Sequence, residues 1–277
     1  MGLRIMTNIQ SLAAQRYLNM NIENQKTSLE HLASGSRINK AGDDAAGLAI
    51  SEKLKSEIRS LRQAARNTND GISMIQVAEG SMNEIGNILT RLRELSIQSA
   101  SDTISDEERN FVDKEVQQLK SEVTRISSVT EYNSTKLLDG SAPPLDIQVG
   151  THNNAALDRL VYNSDGLSTT LATLGLEGLS TTTKENAQLN LGSLDHAIEH
   201  INGNRATLGA LQNRLQSTVA NLTIYRENLE NANSRIRDTD VAQESSELTK
   251  HNILSQGSVA VLAQANATPQ LALKLIG

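Results

Sequence analysis

Side chains recur along this chain at alternating steps of four and three, and that spacing limits the folds open to it more than any other feature. Leu54, Ile58, Leu61, Ala65, Thr68, Ile72 and Ile75 hold the pattern; after one extra step of three it resumes through Ala78, Met82, Ile85, Leu89 and Leu92. Such residues form a narrow seam along one helix face, which is what coiled-coil packing buries. The spacing predicts a helix from about residue 50 to residue 100, roughly 75 Å long at 1.5 Å rise per residue. Gly71, Gly80 and Gly86 fall inside it. Each costs about 1 kcal/mol against Ala, so packing along the seam has to offset them.

Ser105 and Glu108 have the S-x-x-E spacing of a capping box, which starts a second helix with the seam Val112, Val116, Leu119, Val123 and Ile126. A third begins near Thr182, with Glu185 three residues on, and runs through Leu191, Leu194, Ile198, Ile201, Leu208, Leu211, Leu215, Val219, Leu222, Leu229 and Ile236. Two shorter amphipathic stretches sit at the extremities. One carries Leu18, Ile22, Leu29 and Leu32; the other carries Leu248, an apolar run from Val259 to Ala263, and Leu271 to Ile276. Between the long helices, Pro143 and Pro144 break the pattern and Leu145, Ile147 and Val149 alternate as a half-buried strand does. Gly150 to Asn154 can turn, residues 157–162 can pair back, and the Thr/Ser/Gly-rich stretch to Thr183 reads as loop. The expected fold is mainly α: a long antiparallel coiled-coil helical rod with a small β-hairpin insertion.

Composition supports a rod over a compact catalytic core. Phe, Trp and Tyr together make 2% of 277 residues, and aromatic rings usually supply much of a globular core's buried area. The absence of cysteine excludes disulfides, thiolate metal sites and a Cys nucleophile. A net charge of −6 with interspersed signs lacks the basic footprint of nucleic-acid binding. No apolar run approaches the ~20 residues of a membrane span. The N-terminus has a lone Arg4 and no apolar core, so it does not read as a secretory signal. By ordinary targeting rules the protein would stay cytoplasmic.

Two constellations could carry chemistry. His196, Glu199 and His200 match H-x-x-E-H, a zinc-peptidase pattern, but Ile198 and Ile201 continue the seam beside them and no third ligand stands out, so a solvated helix face is the better reading. Asp43 and Asp44 directly precede Ala45-Ala46-Gly47-Leu48, where a helix starts. Their charge there suits the helix dipole, and no nucleophile accompanies them. Asn133, Asn221 and Asn266 open glycosylation-type triplets that carry meaning only on a eukaryotic secretory route.

The stretch Ser34-Gly-Ser-Arg-Ile-Asn-Lys-Ala-Gly-Asp-Asp-Ala-Ala-Gly-Leu-Ala-Ile50 closely resembles bacterial flagellin, with Ser34, Gly35, Arg37, Asn39, Asp43, Asp44 and Gly47 carrying the motif. The likeness continues through residues 67–80 and 92–100 and returns in Ser258-Val-Ala-Val-Leu-Ala-Gln-Ala-Asn266. The resemblance implies an inner filament-core domain made of residues 1–45 and 237–277, whose helices form an inner coiled coil. It implies a rod domain made of helices in 46–139, a hairpin and loop part in 140–185 and a long helix in 186–236. With so little between the two halves, the chain looks like a short form without large variable outer domains. It further implies a structural subunit without catalysis or cofactor, polymerising with itself into a swimming filament. Export as an unfolded chain through the flagellar type III secretion channel, without a cleaved signal peptide, then replaces the cytoplasmic expectation with an extracellular one.

The partners implied by the same resemblance are an export chaperone, the filament cap and the hook-junction proteins. Val259, Leu262, Ala263, Gln264, Asn266, Leu271 and Leu275 mark the terminus for assembly and chaperone binding. The alternative is the hook–filament junction protein, whose usual motif has a proline after the paired aspartates where this chain has Ala45. Arg91, Leu95 and Glu115 match the positions at which flagellins contact Toll-like receptor 5 in innate immune recognition, although Thr90 departs from the usual Gln. The spacing places Ile88 and Leu95 off the main seam, and the expectation is an exposed second stripe there, of the kind that marks a contact with another chain.

Overall fold

The structure, a computed structural model, describes residues 7–276 and the side chains of residues 7–268. In chain order the long helices are α1 (Ile9–Ser34), α2 (Ala45–Ser99) and α3 (Asp106–Val129). Two small hairpins follow: β1 (Glu131–Tyr132) with β2 (Thr135–Lys136), and β3 (Leu145–Gln148) with β4 (Arg159–Tyr162), the latter pair joined through the single turn α4 (Ala155–Asp158). Helices α5 (Lys184–Arg237) and α6 (Val241–Ile276) complete the chain. The molecule divides into two compact units, Met1–Ser56 with Asn228–Gly277, and Glu57–Glu227.

In the unit Glu57–Glu227, α2 and α5 run antiparallel, with Tyr225 bonded to Glu57 at 2.9 Å and Arg93 to Asp195 at 2.7 Å. The seam residues are where the spacing placed them. Ile75, Ala78, Met82, Ile85, Leu89 and Leu92 are fully buried against Leu194, Ala197, Ile201, Leu208 and Leu215 of α5 and Val116 and Val123 of α3. Each such Leu or Ile contributes on the order of 1.5–3 kcal/mol by leaving water. One expectation fails here: Leu95 is only 2% exposed and belongs to the same core, and Ile88 packs half-buried against it. The reason is α3. It folds back along α2 and covers a second face of that helix, so the stripe that lies off the α5 seam is buried within the chain.

The turn between α2 and α3 is closed from both sides. Ser105 and Glu108 form the expected reciprocal capping box, while the buried Arg109 donates to the carbonyls of Ser99 and Ser101, both at 2.8 Å. Those carbonyls at the end of α2 otherwise have no helical partner. At the start of α5 the cap is one residue later than expected: Thr183 accepts the N–H of Asn186, and Thr182 bonds Ser180 instead.

The hairpin β3–β4 pairs Leu145 with Tyr162 and Gln148 with Arg159. Tyr162 is fully buried and donates its hydroxyl to the Leu137 carbonyl at 2.8 Å, and burial raises its pKa above the ordinary phenol value. Gly71 explains how closely this hairpin approaches α2. A Cβ at that position would stand 2.8 Å from Ile147 Cδ1, whereas one at Gly80 would meet nothing within 4 Å. The hairpin β1–β2 was not legible in advance. Its turn uses Asn133 and Ser134 at φ 49 and 63, the double left-handed geometry of a type I′ turn, for which Asn-Gly is the usual signal.

Candidate assembly surface

The unit Met1–Ser56 with Asn228–Gly277 is built on the antiparallel pair of α1 and α6. Helix α1 starts at Asn8, whose side chain accepts the N–H of Ser11 at 3.1 Å, and stops at Gly35 in the left-handed region, φ 68. Asp240 caps α6 by accepting the N–H groups of Ala242 and Gln243 at 2.9 and 3.2 Å.

The seam between these helices mixes polar or small residues with half-buried leucines, Leu18 and Leu32 on α1 and Leu248 and Leu262 on α6. On α1 the buried positions are Ala14, Asn21 and Ser28, spaced by seven, with Asn21 at 7% and Ser28 at 4% exposure. On α6 the same spacing runs through Glu244, His251, Ser258 and Ala265, half-buried or buried. Asn21 donates to the Ser258 hydroxyl at 3.0 Å, which in turn donates a hydrogen bond to the Leu254 carbonyl at 2.8 Å. Gln25 donates to Asn252 at 2.7 Å, Ser11 to Asn266 at 2.7 Å, and Asn8 to the Ala265 carbonyl at 2.7 Å. His31 stands 3.4 Å from Glu244.

The aliphatic residues are on the outside. Ile9 is 62% and Ile253 64% exposed, and Leu12, Met20, Ile22, Leu29, Leu254, Val259 and Val261 are exposed as well. Of the amphipathic stretch expected on this helix, Leu18 and Leu32 are half-buried along the seam, and Ile22 and Leu29 face solvent. Of the terminus expected to serve assembly, Val259, Ala263, Gln264 and Asn266 are exposed and Leu262 is half-buried, while the side chains of Leu271 and Leu275 lie outside the described residues. The residues that hydropathy missed are the polar and small members of the seam. A heptad of small and polar residues was the signal that could have found them.

The motif residues tie the joint where the chain leaves α1 for α2 and α5 for α6. Arg37 donates its N–H to the Arg237 carbonyl at 2.6 Å and its guanidinium to the Ile236 carbonyl at 2.8 Å. Thr239 donates to the Gly35 carbonyl at 3.1 Å. Ser34 accepts the Asn39 amide at 2.8 Å. The Asp43 carboxylate accepts the N–H groups of Lys40 and Asn39 at 2.9 and 3.0 Å, and these bonds, Lys40 first, hold its pKa below the usual carboxylate value. Asp44 caps α2 by accepting the Gly47 N–H at 2.9 Å. A Cβ on Gly47 would stand 2.4 Å from that same carboxylate and 2.8 Å from the buried Ile38. The paired carboxylates are thus both engaged with backbone.

Elsewhere, Arg91 bonds Glu115 at 2.9 Å on an exposed face, and Leu95 is not on that face. His196, Glu199 and His200 are exposed on α5. Among the described residues no group of three or more His, Asp or Glu is placed to hold a metal ion, and no helix is long and apolar enough to cross a membrane.

Long helices paired antiparallel, with an exposed aliphatic face on the terminal pair, define a mainly helical, coiled-coil class of protein. The comparisons name the family. Residues 5–142 match the bacterial flagellin N-terminal helical region and residues 191–276 the bacterial flagellin C-terminal helical region. The chain belongs to the bacterial flagellin family. It is 44% identical over 269 residues to a flagellin of Halalkalibacterium halodurans, covering 97% of this chain and 98% of that one. It is 43% identical over 282 residues to the flagellar filament 33 kDa core protein of Treponema phagedenis, covering 97% and 98%. The crystal structure of Bacillus cereus flagellin is similar at a TM-score of 0.51 and 31% identity, over 57% of this chain and 88% of that one. A putative flagellar hook-associated protein from Vibrio parahaemolyticus matches at a TM-score of 0.58 over 71% of this chain and all of that one, but at 12% identity it shows the fold alone.

Proposed function

We propose that the protein is a structural subunit that polymerises into the bacterial flagellar filament, outside the cell, through its terminal helix pair. The observation that carries this reading is the aliphatic face that α1 and α6 leave exposed. Their Ile, Leu, Met and Val residues stand exposed on the pair, and apolar patches of that kind mark contacts with other chains. A helical polymer forms when one surface of a copy meets a different surface of the next and the rotation does not close. In this reading the terminal pair makes the filament core.

The family supports the remaining steps. The chain is exported unfolded through the flagellar secretion channel, with an export chaperone on the terminus around Val259 to Asn266, and is added beneath the filament cap. Identity to flagellins over nearly the whole length, with Ala45 after the paired aspartates, favours this over the hook–filament junction protein. The exposed Arg91–Glu115 pair supports a contact with Toll-like receptor 5, now without Leu95. Deleting residues 258–277 removes half of the α1 partner surface and tests the central claim. The truncated chain is expected to keep the cooperative unfolding of α2, α3 and α5 while failing to elongate filament seeds in electron micrographs. Normal filaments from it would overturn the reading.

A further inference from the structure

We propose that the polar seam specifies the register of the terminal helix pair, with Asn21 acting through Ser258 and Gln25 through Asn252. The inference rests on the filament reading for its consequence, but the geometry behind it belongs to the seam alone.

Leucines would hold two helices of this length together more tightly, yet the heptad positions at the centre of the pair are Asn21 and Ser28 on α1 and Ser258 on α6. An aliphatic seam tolerates sliding, because one Leu packs on another at every heptad. A buried amide does not, since it needs a partner at one height. In the observed alignment Asn21, Ser258 and the Leu254 carbonyl form a continuous chain of hydrogen bonds, and Gln25 and Asn252 pair one turn away. Sliding α6 by seven residues one way sets Ala265 against Asn21 and leaves the amide unpartnered. Sliding it the other way sets the larger His251 ring there and replaces Asn252 by Ser245 opposite Gln25. The outward residues give no such discrimination: Ile9, Leu12, Met20, Ile253, Val259 and Val261 lie outside the seam and are unaffected by a shift within the pair. A shift does change the surface they form together. A polymer of identical contacts requires every copy to present one such surface, so the seam trades pairing strength for a single pattern.

The absence of cysteine lets introduced pairs report without background. Ser11→Cys with Asn266→Cys reads the observed alignment, in which the native side chains are 2.7 Å apart. Ser11→Cys with Val259→Cys reads the alignment shifted by one heptad. With the native seam, in the monomer and in seeded filaments diluted with cysteine-free chains, the first disulfide is expected to exceed the second at least about tenfold. In Asn21→Leu with Ser258→Leu the ratio is expected to fall to about twofold or less, and seeded elongation to slow at least about tenfold, while helix content is kept. The exchange Asn21→Ser with Ser258→Asn preserves the donor and acceptor and is expected to restore the ratio. A ratio indifferent to the leucines, or lost equally in the exchange, overturns the proposal, as does failure of the native seam to give the in-register disulfide. If the native chain does not elongate seeds at all, the filament reading fails, and the disulfide ratio still decides the register.

Discussion

Leu95→Ala and Arg91→Ala look like equivalent probes of one receptor face in the sequence, and the structure separates them. Leu95 is 2% exposed in the core formed by α2, α3 and α5. Truncation to Ala removes about three carbons, worth about 0.8 kcal/mol each in transfer free energy, or about 2.4 kcal/mol together. The cavity left between three helices raises this to about 3–4 kcal/mol, inside the usual range for such changes. For a unit of this size each kcal/mol lowers the melting temperature by about 2–4 °C, so a loss of about 6–16 °C is expected. Arg91 and Glu115 are 50% and 46% exposed; a solvated pair gains little from its contact, so Arg91→Ala is expected to leave the midpoint essentially unmoved. Urea titration of the monomer, followed by circular dichroism, gives both stabilities, and receptor titration at a temperature where each variant is folded gives the affinities. Arg91→Ala should weaken receptor binding with its fold intact. Leu95→Ala should lose binding only as far as it unfolds. A Leu95→Ala variant within about 0.5 kcal/mol of the native stability would refute the packing described here, because that is the range of surface substitutions.

The terminal pair should be the least protected part of the monomer, since its seam buries small and polar groups; amides of α1 and α6 are expected to exchange faster than those of residues 75–92 and to slow on polymerisation, and equal protection in the monomer would contradict this. Gly80→Ala is expected to stabilise by about 1 kcal/mol because its Cβ would meet nothing. Gly71→Ala should gain less or lose, since Ile147 would have to move; equal gains in urea midpoint would show that the β3 approach to α2 is looser than it is here. Asp43, held low by the Lys40 and Asn39 N–H groups, and Glu52, held low by Arg237, have folded pKa values below their unfolded ones. Their contribution is therefore complete above the ordinary carboxylate range and lost as pH falls through the depressed values. The joint at residues 35–47 is expected to loosen below about pH 4 in proteolysis or exchange measurements, and Asp43→Asn to flatten that dependence; a joint that tightens on acidification would contradict the assignment.

Much of the fold was legible because local and tertiary signals agreed. The seam from Leu54 to Leu92, the capping box at Ser105 and the alternation at Leu145, Ile147 and Val149 each point to one structure, and the structure has it. The failures have local causes. A single seam is what a helix shows when it has one partner; α2 has two, and nothing near Leu95 announces that α3 returns along it. The turn at Asn133 and Ser134 was hidden because Ser replaces the Gly that marks such turns. Thr182 and Thr183 are both competent caps, and the choice depends on Ser180, which engages the first.

The terminal pair was legible only in part. Leu18, Ile22, Leu29 and Leu32 read as one amphipathic stretch, but Leu18 and Leu32 lie along the seam of the pair while Ile22 and Leu29 face solvent. In α1 and α6 hydropathy alone does not sort inside from outside: Asn21 and Ser28 are inside, and Ile9, Met20 and Ile253 are outside. Spacing remained a faithful guide where hydropathy was not, since positions 14, 21 and 28 face positions 244 to 265 at intervals of seven on both helices. The same distinction separates the two sets of residues that resemble flagellin. The motif from Ser34 to Gly47 is fixed by hydrogen bonds within one chain, so its geometry is complete and each residue has a partner in view. In the terminus from Val259 to Asn266, by contrast, Val259 and Val261 are exposed, and under the proposed assembly a second copy covers them.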